Sequence, residues 1–260
     1  MSTIFNRRHF IARSSAALTA VALSQRAAAN DHGHHHDALF GYGVASGDPL
    51  ADRVIIWTHA RHPRNDKPVE LTWQVSHDEH FHHIIRHGHV VARKSRGHTV
   101  KVDVDGLAAG NSYYYRFKAE DDMVSPVGRT RTLPASNVDE VKFAVFSCAL
   151  YSEGYFNAYD DATVSGAQYA IHLGDYIYEY GAGADEFGNS NIPGNRVTRP
   201  ANDIVTLDDY RTRYALYRSD PDLQAAHAAM PFITVWDDHE FANNAWIGGA
   251  ENHDPATQGE

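Results

Sequence analysis

The chain has 260 residues, of which 43% are hydrophobic and 22% charged, so it has room for one large globular domain or two ordinary ones. Its formal net charge of -10 and isoelectric point near 5.9 argue against a basic face that would bind the phosphate backbone of a nucleic acid. We therefore predict no nucleic acid as a structural partner. Histidine is abundant, but 14 of the 18 histidines precede residue 100, so abundance alone does not indicate a metal site.

The first 29 residues have the features of a twin-arginine signal peptide. The segment NRRHFI at 6–11 contains paired arginines, the apolar stretch at 16–23 is too short to span a bilayer, and the alanines at 27–29 suit a cleavage site. The alternative is a chance group of basic residues in a frayed terminus. We expect transport by the twin-arginine export machinery, a periplasmic or secreted location, and no membrane association after signal cleavage.

A polar linker is predicted at 30–39, and a β-sandwich domain at 40–134. Four short strands separated by turns are predicted within this domain, at 53–58, 69–75, 98–104 and 112–117. The aromatic run YYYRF at 113–117 resembles the tyrosine-bearing corner of fibronectin type III and related sandwiches. Because nothing here places a nucleophile beside a base, we assign this domain a scaffold or docking role.

The pattern changes after residue 140, and we assign 141–260 to a second, α/β domain. A strand at 142–147, a helix at 154–164 and a strand at 168–173 are expected to form a βαβ unit with a right-handed crossover. A long loop at 176–206 follows, and loops of this length in compact domains are usually functional lids or site walls.

Two helices and a third strand complete the predicted second domain. Asp208 or Asp209 is expected to cap the first helix, which continues through Tyr217, and the second helix begins at Pro221. The third strand is predicted at 231–236.

Each of the three strands of the second domain ends in residues able to bind a metal ion. The first strand ends at Cys148, the second at Asp175, and the third at the segment DDHE at 237–240. In a parallel sheet the carboxyl ends of the strands lie along one edge, which is where ligands bind in open α/β sheets. The sequence therefore predicts a metal site at this edge.

The residue types at this edge suit a pair of metal ions. Asp175 could bridge two cations, while Cys148 and Tyr178 could supply a thiolate and a phenolate, whose protons a coordinating cation removes at neutral pH. Tyr176 and Tyr180 are expected to pack. Two ions ~3.5–4 Å apart can lower the pKa of a water from ~15.7 to about 7, which indicates hydrolysis of phosphate esters by a metal-activated water.

Structural interpretations of the same residues stay open at this point. A lone cysteine at a strand end is commonly a packed core residue, so Cys148 is either buried and inert or occupied. Gly-Asp after a strand is often only a turn, and DDHE is often a solvated loop or a helix cap. His239 could bind metal, donate to the phosphate or protonate the leaving oxygen.

Several long segments resemble the PhoD-like alkaline phosphatases of the metallophosphoesterase superfamily. The segments that carry the resemblance are 43–49, 113–117, 143–148, 154–159, 172–180, 210–227 and 231–244. The resemblance implies a fibronectin type III-like β-sandwich followed by part of an α/β metallophosphoesterase domain. It also implies a secreted, metal-dependent phosphatase acting on small-molecule phosphomonoesters, with phosphodiesters as a second substrate class.

The resemblance also implies the cofactors and their ligands. Ferric iron would be bound by Cys148, Asp175 and Tyr178, and Asp175 would bridge to calcium. Asp238 stands where superfamily members carry asparagine and is assigned to calcium, His239 is assigned the phosphate contact, and Asp237 is left open.

Members of this family continue well beyond the third motif, with further ligands and strands. We therefore expect an incomplete phosphatase domain in a truncated N-terminal half, with Asn252, His253 and Asp254 as the only late candidate ligands and with apolar surface left uncovered.

Two alternative functions belong to other classes. One is a cysteine hydrolase in which Cys148 is the nucleophile and His239 the base. The other is an inactive fragment that acts as a secreted binding module, with the sandwich making the contacts.

Overall fold

The computed structural model describes residues 39–120, 122–136, 138–183, 188, 196–251 and 256. The predicted signal peptide, the predicted linker up to residue 38 and the late candidates Asn252, His253 and Asp254 lie outside these residues. Within the described part of the chain, no helix is both long enough and apolar enough to cross a membrane.

In the part of the chain that the structure describes, ten strands form two sheets. The strands are β1 Val44–Gly47, β2 Val54–His59, β3 Val69–Ser76, β4 Ile84–Ala92, β5 Thr99–Val104, β6 Ser112–Lys118, β7 Gly128–Arg131, β8 Phe143–Phe146, β9 Tyr169–His172 and β10 Phe232–Thr234. One sheet has the order β5-β2-β1-β10-β9-β8, and the other has the order β4-β3-β6-β7. A short 3-10 turn, Lys94–Arg96, joins β4 to β5.

The first core lies between the four-stranded sheet and strands β1, β2 and β5. Along β2 and β6 buried residues alternate with partly exposed ones, as expected where one face of a strand packs inward. Val44, Ile56, Leu71, Tyr115 and Phe117 are among the fully buried contributors to this core. The two sheets thus face each other across a shared apolar layer, while the likeness to fibronectin type III stays a prediction.

Tyr113 contacts the backbone at the corner that precedes β6. Its side chain is buried, its hydroxyl donates to the backbone oxygen of Ala108 at 3.1 Å, and the backbone N–H of Ala108 donates to the same hydroxyl at 2.9 Å. This contact fixes the turn that leads into β6.

Helices follow within residues 157–229, with local sequence reasons for where each begins. They are α1 Asn157–Val164, α2 Leu207–Arg218 and α3 Pro221–Ala229. The prediction that Asp208 or Asp209 caps α2 is wrong: Thr206 is the N-cap, and Asp209 is its capping-box partner three residues on. Asp220 caps α3 through the N–H groups of Asp222 and Leu223, with Pro221 at the first helical position.

Strands β8, β9 and β10 are parallel and in direct register. Val145 lies beside Ile171, and Ile171 lies beside Ile233. The helices cover one face of this three-stranded segment and form a second core. The opposite face exposes apolar side chains, namely Phe143, Val145, Leu173, Ile233 and Val235.

Strands from both predicted domains meet in the six-stranded sheet. Strand β1 lies parallel to β10 with a single register pair, Gly47 with Phe232, and the N–H of Asp48 donates to the oxygen of Phe232 at 3.1 Å. A Cβ atom on Gly47 would lie 2.9 Å from that same oxygen, so the close approach of the two strands requires glycine here.

Candidate metal centre

The loops after β8, β9 and β10 are held against one another at the carboxyl edge of the parallel strands. The backbone N–H of Cys148 donates to the oxygen of Gly174 at 3.2 Å, and that of Ala149 donates to the oxygen of Asp175 at 2.9 Å. A Cβ atom on Gly174, whose φ is +106°, would lie 2.4 Å from the backbone nitrogen of Asp237. Glycine at 174 therefore lets the second and third loops touch.

Two of the predicted ligands have unusual backbone conformations. Cys148 and Asp175 both lie in the left-handed region, with φ of 59° and 53°. Non-glycine residues in this region cost about 1–3 kcal/mol and persist where the surrounding structure holds them. Here the inter-loop hydrogen bonds hold them, and both side chains point into the same small volume.

Asp175 is the residue that the other predicted ligands share. The Cys148 thiol donates to Asp175 Oδ2 at 3.3 Å, and the Tyr178 hydroxyl donates to the same oxygen at 3.2 Å. The other carboxylate oxygen, Oδ1, accepts the backbone N–H of His239 at 3.4 Å. One oxygen of this buried carboxylate thus faces the side chains of Cys148 and Tyr178, and the other faces the backbone of the third loop.

The third loop brings Asp238 and His239 to Asp175. One ligand atom from each of Asp175, Asp238 and His239 lies within 4.8 Å of the other two. Asp175 is buried, whereas Asp238 and His239 are partly exposed. The neighbouring Asp237 is exposed, and its backbone rather than its carboxylate takes part in the loop contact.

Cys148 is exposed, which excludes the interpretation of a packed, inert core cysteine. Tyr178 is buried, and the rings of Tyr178 and His239 are 4.2 Å apart between centroids. Tyr176 packs into the second core, where its hydroxyl lies 2.9 Å from Nε2 of His227. The neighbouring tyrosines therefore divide between the metal edge and the core.

Two glutamates connect the loops in opposite directions; sequence reasoning placed Glu240 in the candidate segment at 237–240 without giving it a role, and it gave no role to Glu179. Glu240, after β10, accepts the backbone N–H groups of Asp175 at 3.0 Å, Tyr176 at 2.6 Å and Asp237 at 2.9 Å. Glu179, after β9, accepts the N–H of Asn243 at 2.6 Å and lies 2.8 Å from Nδ1 of His239. Only the tertiary structure shows these roles, because both glutamates lie in loops with no local pattern.

Arg213 of α2 supports the loop that contains Tyr178. Its guanidinium is fully buried and donates to the backbone oxygens of Tyr178, of Tyr180 at 2.9 Å and of Arg199 at 2.9 Å. Burial lowers the pKa of this guanidinium from its ordinary value, although nearby acidic groups offset part of the effect. The loop is thereby tied to the helix beneath it.

Burial sets the electrostatics of the site. Burial raises the pKa of Asp175, an effect that hydrogen bonding to Cys148 and the nearness of His239 partly offset. Burial, with Asp175 and Cys148 nearby, also raises the pKa of Tyr178. Burial would raise the pKa of Asp238, but the N–H of Asn244 and nearby His239 bring it below its ordinary value. A cation binding here would therefore displace the proton of the Tyr178 hydroxyl.

The donor set fits a pair of cations. Thiolate, phenolate and carboxylate groups suit iron, and the oxygens of Asp175 and Asp238 suit calcium. Cys148 and Tyr178 lie on one oxygen of Asp175, whereas the third loop lies on the other. The arrangement could hold two ions with Asp175 between them.

Comparison with known proteins matches most of the chain to one family. The family model described as "PhoD-like phosphatase, N-terminal domain" matches residues 25–134, and the model described as "PhoD-like phosphatase" matches residues 143–260.

Two relatives are similar over the same region. Alkaline phosphatase D of Bacillus subtilis (strain 168) is 47% identical over 213 residues, which cover 79% of this chain and 36% of that protein. A solved structure described as "Structure of PhoD" matches with a TM-score of 0.72 and 46% identity, over 79% of this chain and 40% of that chain. The chain spans less than half the length of these two relatives.

Proposed function

Because the chain belongs to the PhoD-like phosphatase family, we propose that it is a metal-dependent phosphatase that hydrolyses small-molecule phosphate esters at the edge of the parallel strands. The observation that supports this proposal most is the position of Asp175, one oxygen of which faces Cys148 and Tyr178 while the other faces the loop of Asp238 and His239. Phosphomonoesters are the proposed substrates, with phosphodiesters as a second class.

We assign ferric iron to Cys148, Asp175 and Tyr178, and calcium to Asp175 and Asp238. When bound, such ions supply positive charge that polarises the phosphoryl group and acidifies water. The protein holds the donors at the rim through Glu240, Arg213 and the glycine at 174, so little reorganisation is needed on binding.

His239 is the proposed catalytic residue. It is partly exposed, follows Asp238 directly, and its ring contacts those of Tyr178 and Tyr180, with centroid distances of 4.2 and 5.3 Å. An imidazole held at this rim can donate a hydrogen bond to a phosphate oxygen and deliver a proton to the leaving oxygen. The aromatic contacts restrict the ring without covering it.

The geometry favours this function over a cysteine hydrolase. A cysteine nucleophile needs a base beside its sulfur, but the Cys148 thiol donates to Asp175 while Nδ1 of His239 pairs with Glu179. Cys148 therefore lies beside a carboxylate, as a ligand would. Export through the twin-arginine machinery and a periplasmic or secreted location remain part of the proposal, supported by the sequence pattern of the first 29 residues.

Hydrolysis of p-nitrophenyl phosphate by the purified chain, loaded with ferric iron and calcium, tests the proposal. We expect turnover that a chelator abolishes and that Asp175→Asn lowers by 1000-fold or more, because the variant loses the carboxylate that both ions share. Asp208→Asn is the matched control, since the Asp208 side chain is 90% exposed on α2.

Two results would overturn the proposal. Turnover that persists in chelator but is lost in Cys148→Ser would indicate the cysteine hydrolase. A folded, metal-loaded chain without turnover on either a phosphomonoester or a phosphodiester would leave the binding module as the better interpretation.

A further inference from the structure

Glu179 makes a contact with His239 that the proposed chemistry does not yet use. One oxygen of its carboxylate, Oε2, lies 2.8 Å from Nδ1 of His239, and the other, Oε1, accepts the backbone N–H of Asn243 at 2.6 Å. The Glu179 side chain is only 4% exposed and that of His239 13%. The contact is therefore shielded from water, which would otherwise compete for both partners.

Glu179 and His239 lie in different loops, so their contact joins the second loop to the third. Glu179 follows β9 and lies one residue after the predicted ligand Tyr178, whereas His239 follows β10. The carboxylate thus crosses from the second loop to the third and fixes both the backbone at Asn243 and the ring of His239. Rotation of the imidazole would break its hydrogen bond while Glu179 stayed bound to Asn243.

The chemistry of the two groups determines which ring nitrogen carries the proton. An ionised carboxylate can only accept hydrogen bonds, so a neutral imidazole beside it must carry its proton on Nδ1. Within the described residues no hydrogen bond reaches Nε2 of His239. Nε2 is then the nitrogen left at the rim, where it can take up a proton and pass it to the leaving oxygen.

We infer that Glu179 is a positioning residue that holds His239 in the Nδ1–H tautomer and in one ring orientation, leaving Nε2 for the chemistry at the edge. This inference deepens the proposed function and rests on it for the catalytic use of Nε2. The tautomer itself is a property of the metal-free chain and can be measured without any turnover.

Glu179→Gln is the informative variant because it preserves shape and removes the acceptor-only character. If the new amide were flipped, its NH2 group would face the N–H of Asn243, and two donors would meet. The amide oxygen is therefore expected to keep accepting the N–H of Asn243. The amide nitrogen would then face Nδ1 and donate to it, which moves the imidazole proton to Nε2. The variant is expected to change His239 from the Nδ1–H to the Nε2–H tautomer while the side chain at position 179 still fills the same space.

The tautomer of His239 is measured directly by long-range ¹H–¹⁵N correlation spectra of the full chain labelled with ¹⁵N-histidine. The spectra are recorded without metal at pH ~9, where an ordinary imidazole is neutral. The His239 signal is assigned by its loss in His239→Asn. We expect Nδ1–H in the wild type, Nε2–H as the major form in Glu179→Gln, and no change in Glu70→Gln, an exposed control on β3.

The inference is overturned if the wild type shows Nε2–H or a doubly protonated ring, or if Glu179→Gln keeps the wild-type pattern. If the chain turns over phosphate esters, the same variant should lower kcat about 10–100-fold with KM little changed. If Glu179→Gln were as stable as the wild type and had the same kcat, the positioning role would be rejected. An inactive wild type with the expected tautomers would reject the proposed function alone.

Discussion

Residues 112–118 and residues 172–180 both contain buried tyrosines near a turn, but the two regions use them differently. In the first, the Tyr113 hydroxyl both donates to and accepts from the backbone of Ala108. In the second, the Tyr178 hydroxyl donates to the carboxylate of Asp175, which also accepts from Cys148. Burial is nearly the same, with Tyr113 1% and Tyr178 8% exposed. What separates a structural tyrosine from a candidate ligand is the group that its hydroxyl contacts.

The support beneath the two regions differs in the same way. The Tyr113 corner is satisfied within a few residues of chain, whereas the loop of Tyr178 depends on groups brought from far away, namely Arg213 and Glu240. A local contact survives changes elsewhere in the fold. The metal edge should therefore be sensitive to substitutions that leave the corner unaffected.

The largest effect is expected from Arg213→Ala. The substitution leaves the buried backbone oxygens of Tyr178, Tyr180 and Arg199 without their donor, at a cost of about 3–5 kcal/mol in the free energy of unfolding. Urea denaturation measures the loss, and Arg211→Ala, on the same helix but partly exposed, should cost less than about 1 kcal/mol. Equal losses in the two variants would refute the special support of this loop.

A smaller effect is expected from pH through His172, the last residue of β9. Burial lowers the pKa of this imidazole to about 4, and Nδ1 accepts the N–H of Gly174 while Nε2 lies 2.8 Å from the Tyr159 hydroxyl. Because the folded pKa lies below the unfolded value of 6.5, the unfolded chain takes up the proton first as pH falls. The stabilisation is full above pH ~6.5 and is lost between pH ~6.5 and ~4, by about 3 kcal/mol.

The His172→Gln variant isolates this contribution, since His59 also has a pKa lowered to about 4 by burial. The free energy of unfolding should fall more steeply in the wild type than in the variant across that pH range. Parallel curves would show that His172 does not contribute.

The smallest effect on stability is expected at the corner itself. Tyr113→Phe removes the hydroxyl that pairs with Ala108 and should cost about 1–2 kcal/mol in the free energy of unfolding. Metal binding should not change, because the Tyr113 hydroxyl bonds to Ala108 and, among the described residues, no hydrogen bond links this corner to the loops at the metal edge. A loss of metal affinity in this variant would contradict the claim that the corner and the metal edge are independent of each other.

Much of the fold could be predicted from local pattern. The apolar runs at 142–147 and 168–173 predicted β8 and β9, and the prolines at 221 and 231 predicted the starts of α3 and β10. Each prediction lies within a few residues of the observed bounds. Three strands were not named: β1 is rich in small residues, β7 has no apolar side chain, and β4 is partly exposed along most of its length and interrupted by histidine. Such strands lack the alternation on which the prediction depends.

The site was predictable only in part, for a physical reason. The positions of Cys148, Asp175 and the segment at 237–240 follow from strand ends, which parallel topology brings together. The functions of Glu179 and Glu240 follow from hydrogen bonds that exist only after the loops close, and no spacing in the chain encodes them. Sequence pattern thus indicates which edge carries the chemistry, while the folded chain shows what holds it in place.

The visible absorption spectrum of the chain loaded with ferric iron tests the central claim most directly. Both a phenolate and a thiolate bound to ferric iron give charge-transfer bands, so we expect a coloured wild type, an equally coloured Tyr113→Phe, and a Tyr178→Phe that folds normally but has lost the phenolate band and keeps only the thiolate band of Cys148. A band of unchanged intensity in Tyr178→Phe, or one lost in Tyr113→Phe, would contradict the assignment of Tyr178 and its neighbours on Asp175 to the metal.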